Sequence, residues 1–200
     1  MKFRFLLTVL MLVTTPFLAK AEQTHATPEA FIQEIGDQVI TLLTNKMIDT
    51  PQRAKVFRDI FETKFNVKSI GKFVLGRYWK QATPEQKEKF LQLFTDGIVN
   101  SYATRFQEYT SQKFEVTGSR KESDGGITVI SEITPEQGQP IRVDWKLFEK
   151  NGELRIYDVL LDGISMSITQ RSEYSAVIQQ GGGKIDSLLK ALEDKLVILE

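Results

Sequence analysis

The sequence predicts an α+β fold: helices first, an antiparallel four-stranded meander next, and two helices at the end. Three observations predict it. Thr-Pro pairs at 27–28, 50–51 and 83–84 set a capping residue and a fixed φ at three helix starts. Apolar residues keep helical spacing up to Ser111, then alternate with a period of two from Phe114 to Asp162. Helical spacing returns at Ile164.

The first helix is predicted from about Pro28 to Leu43, with Phe31, Ile35, Val39 and Leu42 on one stripe. The second runs from Pro51 to about Phe65, through Val56, Phe57, Ile60 and Phe61, and a shorter one covers Val67 to Val74. Thr83 opens the longest helix, from Pro84 to about Tyr109, and Gln86 three residues on completes a capping box. Its row Phe90, Phe94, Ile98, Tyr102 and Phe106 repeats every fourth residue. Thr134-Pro135-Glu136 copies the helix-start pattern, but Gly138 and Pro140 follow at once, so it reads as a turn.

The meander begins with Phe114 and Val116, turns at Asp124-Gly125-Gly126, and continues through Ile127, Val129 and Ile133. A third strand spans Pro140 to Lys150 and a fourth Glu153 to Asp162, joined by Asn151-Gly152, a type I′ hairpin signal. A two-residue turn sets a register. It pairs Leu147 with Ile156, Trp145 with Asp158 and Val143 with Leu160 on the core face, where only Asp158 is polar. Phe148–Arg155, Lys146–Tyr157 and Asp144–Val159 fall on the other face. Two helices close the chain, over Ile164–Gln179 and Ile185–Leu196, with a glycine break at 181–183.

Residues 1–21 read as a secretory signal peptide. Lys2 and Arg4 precede the apolar run from Phe5 to Val13, Pro16 breaks it, and Ala19-Lys20-Ala21 is a small-x-small cleavage site. The run is too short to span a bilayer, which takes about 20 apolar residues. Cleavage after Ala21 removes three basic residues from a chain of zero net charge and leaves residues 22–200, a single domain, mildly acidic. The expected location is the periplasm.

Composition excludes several kinds of chemistry. Without cysteine there is no disulfide, thiolate nucleophile or Cys-built metal site. The one histidine, His25, lies in a polar stretch just after the cleavage site. With no basic excess there is no electrostatic case for nucleic acid. Gly71, Gly76 and Gly163 form neither a dinucleotide fingerprint nor a phosphate loop. No catalytic residue, metal or cofactor is predicted. Asp158 beside Trp145 reads in two ways: a carboxylate with a raised pKa acting as general base, or a structural acceptor for the indole N–H or an arginine. Arg77, Lys80, Arg105, Arg142 and Arg171 are scattered and read as solvated. The aromatic load of 13 Phe, 5 Tyr and 2 Trp reads on patterning alone as a filled core, although a ligand cavity is lined by the same kinds of side chain.

Two stretches resemble one family. They are Phe73-Val74-Leu75-Gly76-Arg77-Tyr78-Trp79-Lys80-Gln81-Ala82-Thr83-Pro84-Glu85-Gln86, and Ile156 to Met166 with Gln170-Arg171-Ser172-Glu173-Tyr174. Gly183 to Leu189 carries a third match, a Gly-x-Ile-Asp-x-Leu-Leu pattern. Together they resemble the periplasmic phospholipid-binding component of the Mla (maintenance of lipid asymmetry) system, the toluene-tolerance family.

The resemblance implies a monomeric shuttle that catalyses no reaction and carries phospholipid as cargo, its acyl tails between sheet and helices. Its implied partners are an outer-membrane lipoprotein–porin complex and an inner-membrane ABC transporter with an MCE-domain subunit. Expected tail-lining residues are Phe73, Val74, Tyr78, Phe94, Ile98, Tyr102 and Phe106 on the helices. On the sheet and its exit they are Val129, Val143, Trp145, Val159, Ile164 and Met166. Arg77, Arg105 and Arg171 are expected at the head group or a partner. A lipid-free adaptor and an NTF2-like enzyme using Asp158 are the competing functions.

Overall fold

The computed structural model describes residues 27–45, 47–105 and 113–199, with side chains for 27–45, 47–101 and 113–196. The signal segment, His25 and Phe106 lie outside the described residues, and so do the side chains of Tyr102 and Arg105.

Five helices come first: α1 (Pro28–Thr44), α2 (Thr50–Lys64), α3 (Val67–Leu75), α4 (Arg77–Gln81) and α5 (Pro84–Arg105). The strands follow as β1 (Lys113–Lys121), β2 (Ile127–Thr134), β3 (Ile141–Lys150), β4 (Glu153–Leu161) and β5 (Ile164–Ser165), then α6 (Met166–Gln180) and α7 (Ile185–Leu199). The sheet is antiparallel in the order β1-β2-β3-β4-β5. It therefore has five strands where four were expected. The fifth is two residues long, Ser165 pairing with Leu160 and Ile164 with Leu161, and it delays the start of α6 to Met166.

Helix starts follow their capping chemistry. Thr27 accepts the Ala30 N–H, and at α5 Thr83 and Gln86 exchange side-chain and backbone hydrogen bonds at 3.2 and 3.0 Å. At α2 the cap moves one residue back: Asp49 accepts the Gln52 N–H at 2.8 Å, and Thr50 is already helical. Asn66 caps α3 by accepting from Ser69. Gly76 then divides α3 from α4 at φ +55 and ψ −124, a conformation that side chains resist, so the fourth element was not foreseen. The glycine break closes α6 by a Schellman arrangement, with Gly182 bonding Gln179 and Gly183 bonding Ile178.

The hairpin turn forms as expected, with Asn151 at φ 54 and Gly152 at φ 80. The register deduced from it holds only for the first four pairs, Lys150–Glu153 to Leu147–Ile156. Tyr157 is then an extra residue, a bulge, so that Lys146 faces Asp158, Trp145 faces Val159 and Val143 faces Leu161. The expected Trp145–Asp158 pair does not occur. The cause is tertiary: Asn66 donates its backbone N–H to the Ile156 carbonyl and its amide to the Tyr157 hydroxyl, at 2.9 and 2.8 Å. Tyr157 also meets the Phe148 ring edge-on.

The core is divided. One apolar cluster is helical, built from Phe61, Val74, Leu75, Phe90, Phe94 and Ile178 with the inner face of α7. The other joins α1 to the sheet through Phe31, Ile32, Ile35, Val129, Leu147 and Ile156, with Ile60 of α2. Phe65, at the end of α2, packs against both.

Candidate functional site

The expected tail-lining residues fall on the two sides of this division. Val74, Tyr78 and Phe94 are buried in the helical cluster, and Ile98 packs half-buried against it. Val129 is buried in the sheet cluster, and Trp145 and Val159 pack half-buried on it. Val143 is buried on the same strand face as Trp145. Met166 is half-buried at the first position of α6.

Phe73 and Ile164 stand differently, 41% and 62% exposed. Both sit where the chain meets solvent, Phe73 on the outer side of α3 and Ile164 on the two-residue edge strand. Ile168, one turn into α6, is also exposed and was not anticipated. Its signal lay in the spacing: Ile164 and Ile168 are four apart, the interval that also suits a buried helical stripe.

The aromatic walls are well packed. Phe90 and Phe94 stack at 5.7 Å, and the Tyr174 ring meets both edge-on at 6.0 and 6.5 Å. Burial there pushes the Tyr174 hydroxyl above the usual phenol range. On the sheet, Trp145 meets the Phe114 ring edge-on and donates its indole N–H to the Ser131 hydroxyl at 2.9 Å. Ser131 in turn donates to the Val143 carbonyl at 3.0 Å, so this buried polar pair is satisfied within the wall.

Asp158 is therefore not the partner of the indole. The bulge turns it to the face of Lys146, and its oxygens accept from the Ser165 hydroxyl at 2.5 Å and the Ser167 N–H at 3.0 Å. Ser165 also accepts from the Ile168 N–H, capping α6. The carboxylate closes the entry to a helix, where negative charge is favoured, and this role accounts for both of its oxygens.

Two arginines lie on rings. Arg77 is centred 4.9 Å from the Tyr78 ring and donates to its hydroxyl at 2.8 Å, and Arg171 lies 5.0 Å from the Phe73 ring. Among the described residues no group of acidic or histidine side chains is placed to hold a metal ion. An open groove of about 650 Å³ runs between α1 and α2, bordered by Ala30, Leu42, Ile48 and Val56. A second, of about 300 Å³, lies beside the β3–β4 turn. Neither is bordered by an expected tail-lining residue.

Comparison with known proteins gives this geometry a family. The profile described as "MlaC protein" matches residues 33–194, most of the chain. The chain belongs to the MlaC family. Within it, a relative from Haemophilus influenzae, named an intermembrane phospholipid transport system binding protein, is 26% identical over 195 residues. That alignment covers 93% of this chain and 90% of the relative. The toluene tolerance protein ttg2D of Pseudomonas putida is 22% identical over 186 residues, covering 90% and 85%. A phospholipid-binding protein from Ralstonia solanacearum, solved in complex with a phospholipid, shares the fold at a TM-score of 0.74 and 20% identity. The match covers 86% of this chain and 97% of that one. No helix among the described residues is long and apolar enough to cross a membrane.

Proposed function

We propose that this MlaC-family chain is a phospholipid carrier of the periplasm, holding acyl tails between its helical cluster and its sheet cluster. The observation that carries the reading is the divided core. Two packed apolar bodies meet at Phe65, which packs against both, and either offers a wall that burial of tails would stabilise. Each acyl CH₂ removed from water contributes about 0.8 kcal/mol, so two chains favour such a site by well over ~10 kcal/mol in gross terms. The bilayer offers tails a similar gain, which leaves transfer near balance.

The proposed wall residues are Val74, Tyr78, Phe94 and Ile98 on one side and Val129, Val143, Trp145 and Val159 on the other; Tyr102 and Phe106 continue the first row in sequence and lie outside the described side chains. Phe73, Ile164 and Met166 border the exit. The chain acts as a single domain over residues 22–200 once a signal segment is removed after Ala21. It binds and releases its cargo without chemical change. Its exchange partners are an outer-membrane lipoprotein–porin complex and an inner-membrane ABC transporter with an MCE-domain subunit. The names of the relatives support the reading, since one is a phospholipid transport binding protein and another a structure with phospholipid bound.

Native mass spectrometry of residues 22–200, purified without detergent, tests the proposal. The expected result is a mass increment of a diacyl phospholipid that solvent extraction removes. A bare mass that stays bare after incubation with vesicles would overturn it.

A further inference from the structure

Helix α1 uses two sides. Phe31, Ile32 and Ile35 are buried in the sheet cluster, and the open groove of about 650 Å³ follows the solvent side. Ala30, Gln33, Glu34, Asp37, Gln38 and Thr41 border it there, at intervals of three and four that keep to one line along a helix. From Ala30 to Thr41 that line runs about 16 Å, at about 1.5 Å per residue. The groove is therefore straight for three turns of a helix laid beside α1.

Its two ends differ. Leu42, Ile48 and Val56 make the far end apolar. Val56 is 43% exposed, and Met47, next to Ile48 in the chain, is 91% exposed. Apolar side chains left at solvent beside a groove mark a surface that a partner covers, and methionine adapts its shape to one. Toward the middle the border is acidic: Glu34 and Asp37 lie on it, and among the described residues no lysine or arginine does. Glutamines one turn away hold both carboxylates along the rim, Gln38 donating to Glu34 at 3.0 Å and Gln33 to Asp37 at 2.9 Å. Lys64 lies 3.8 Å from Glu34, whereas no described cation is within ion-pair distance of Asp37.

This pattern does not suit the cargo. No expected tail-lining residue borders the groove, and a phosphate would meet charge of its own sign there. A helix with an apolar seam and a basic flank matches it in shape, length and charge. We propose that the α1–α2 groove takes an amphipathic helix of a partner polypeptide, its apolar residues on Leu42, Ile48 and Val56 and its lysines or arginines against Glu34 and Asp37. Docking there is independent of whether the protein holds lipid.

The experiment titrates two labelled helical peptides into residues 22–200 and follows fluorescence anisotropy. Both peptides carry the same leucine seam; one is flanked by lysine and the other by glutamate. The lysine peptide is expected to bind roughly tenfold tighter, the effect of two exposed charge pairs. Asp37→Lys narrows that preference, Glu34→Lys/Asp37→Lys reverses it, and Val56→Asp weakens both peptides. Loaded and delipidated protein bind alike, and the variants keep the wild-type lipid load. Asp37→Lys decides if the double variant does not fold, since Asp37 has no ion pair to lose.

A wild type that binds neither peptide, or both equally, would overturn the assignment, as would a preference unmoved in folded Asp37→Lys. Binding by delipidated protein alone would place the peptide on the tail walls and overturn it too. A wild type that is dimeric at these concentrations, and monomeric as Val56→Asp, would make a second copy the occupant in place of a partner helix. Retained lipid is measured separately, so failure of the carrier reading would leave the groove result standing.

Discussion

Asp158 accepts the backbone N–H of Ser167 at 3.0 Å, so a carboxylate on β4 closes the first turn of α6. With Ser165 bonded to its other oxygen, it anchors a helix to the edge of the sheet. Asp158→Ala is expected to cost about 2 kcal/mol, by orphaning a hydroxyl and a helix-start amide. That lowers the thermal midpoint by about 4–8 °C in a domain of this size. Asp158→Asn keeps an acceptor oxygen and is expected to lose less. Retained lipid is unchanged in any Asp158 variant that folds, and a loss of lipid from a folded Asp158→Asn protein would contradict the anchoring role.

The reciprocal bonds between Thr83 and Gln86 make a second prediction. Thr83→Ala removes the acceptor for an α5 amide and is expected to cost about 1 kcal/mol in urea unfolding. Thr134→Ala, in the same Thr-Pro-Glu context, leaves stability unchanged, because Thr134 ends a strand and caps no helix.

A third concerns acid. The Thr128 hydroxyl, then the Lys146 ammonium, hold the Glu122 carboxyl down from 4.5 to about 2. A depressed folded pKa means that the stabilisation is complete above the unfolded value and disappears as pH falls through the folded one. The stability difference between wild type and Glu122→Gln is therefore expected to be flat above about pH 5 and to shrink between pH 4.5 and about 2. Urea midpoints across that range measure it, and a difference that grows toward acid would refute the assignment.

Val159 supplies the fourth. It packs on the sheet cluster opposite Trp145 in the ladder, on the wall assigned to the tails. Val159→Trp is expected to fill that space and to cut retained phospholipid several-fold, with circular dichroism unchanged. Full lipid load in the folded variant would move the tails away from this wall.

How far the molecule was legible follows from where each feature is decided. Thr27, Thr83 and Asn151-Gly152 act through bonds and dihedrals within a few residues, so their elements were found where spacing placed them. The bulge at Tyr157 is made by Asn66, and the Gly76 elbow is packed by Arg171; neither partner is near in sequence. The site was legible as a set of apolar faces on helices and strands. Its arrangement in two clusters was not, because a stripe of phenylalanines has the same spacing whether it meets another protein face or a guest. Phe73 and Ile164 show the limit, for the resemblance set both among the tail-lining residues and only the fold placed them at solvent.

One inserted residue decides the electrical character of the inner wall. In a regular β4, Asp158 would point alongside Trp145, and a hydrocarbon guest would lie against a formal charge. Tyr157 shifts the pleat by one, so Val159 and Leu161 stand there and the carboxylate is turned outward to hold α6. Deleting Tyr157 itself would keep Val159 opposite Trp145, whereas losing the bulge with the residue retained would exchange an insulating surface for an ionic one and release a helix in the same stroke. No single substitution along the strand does both.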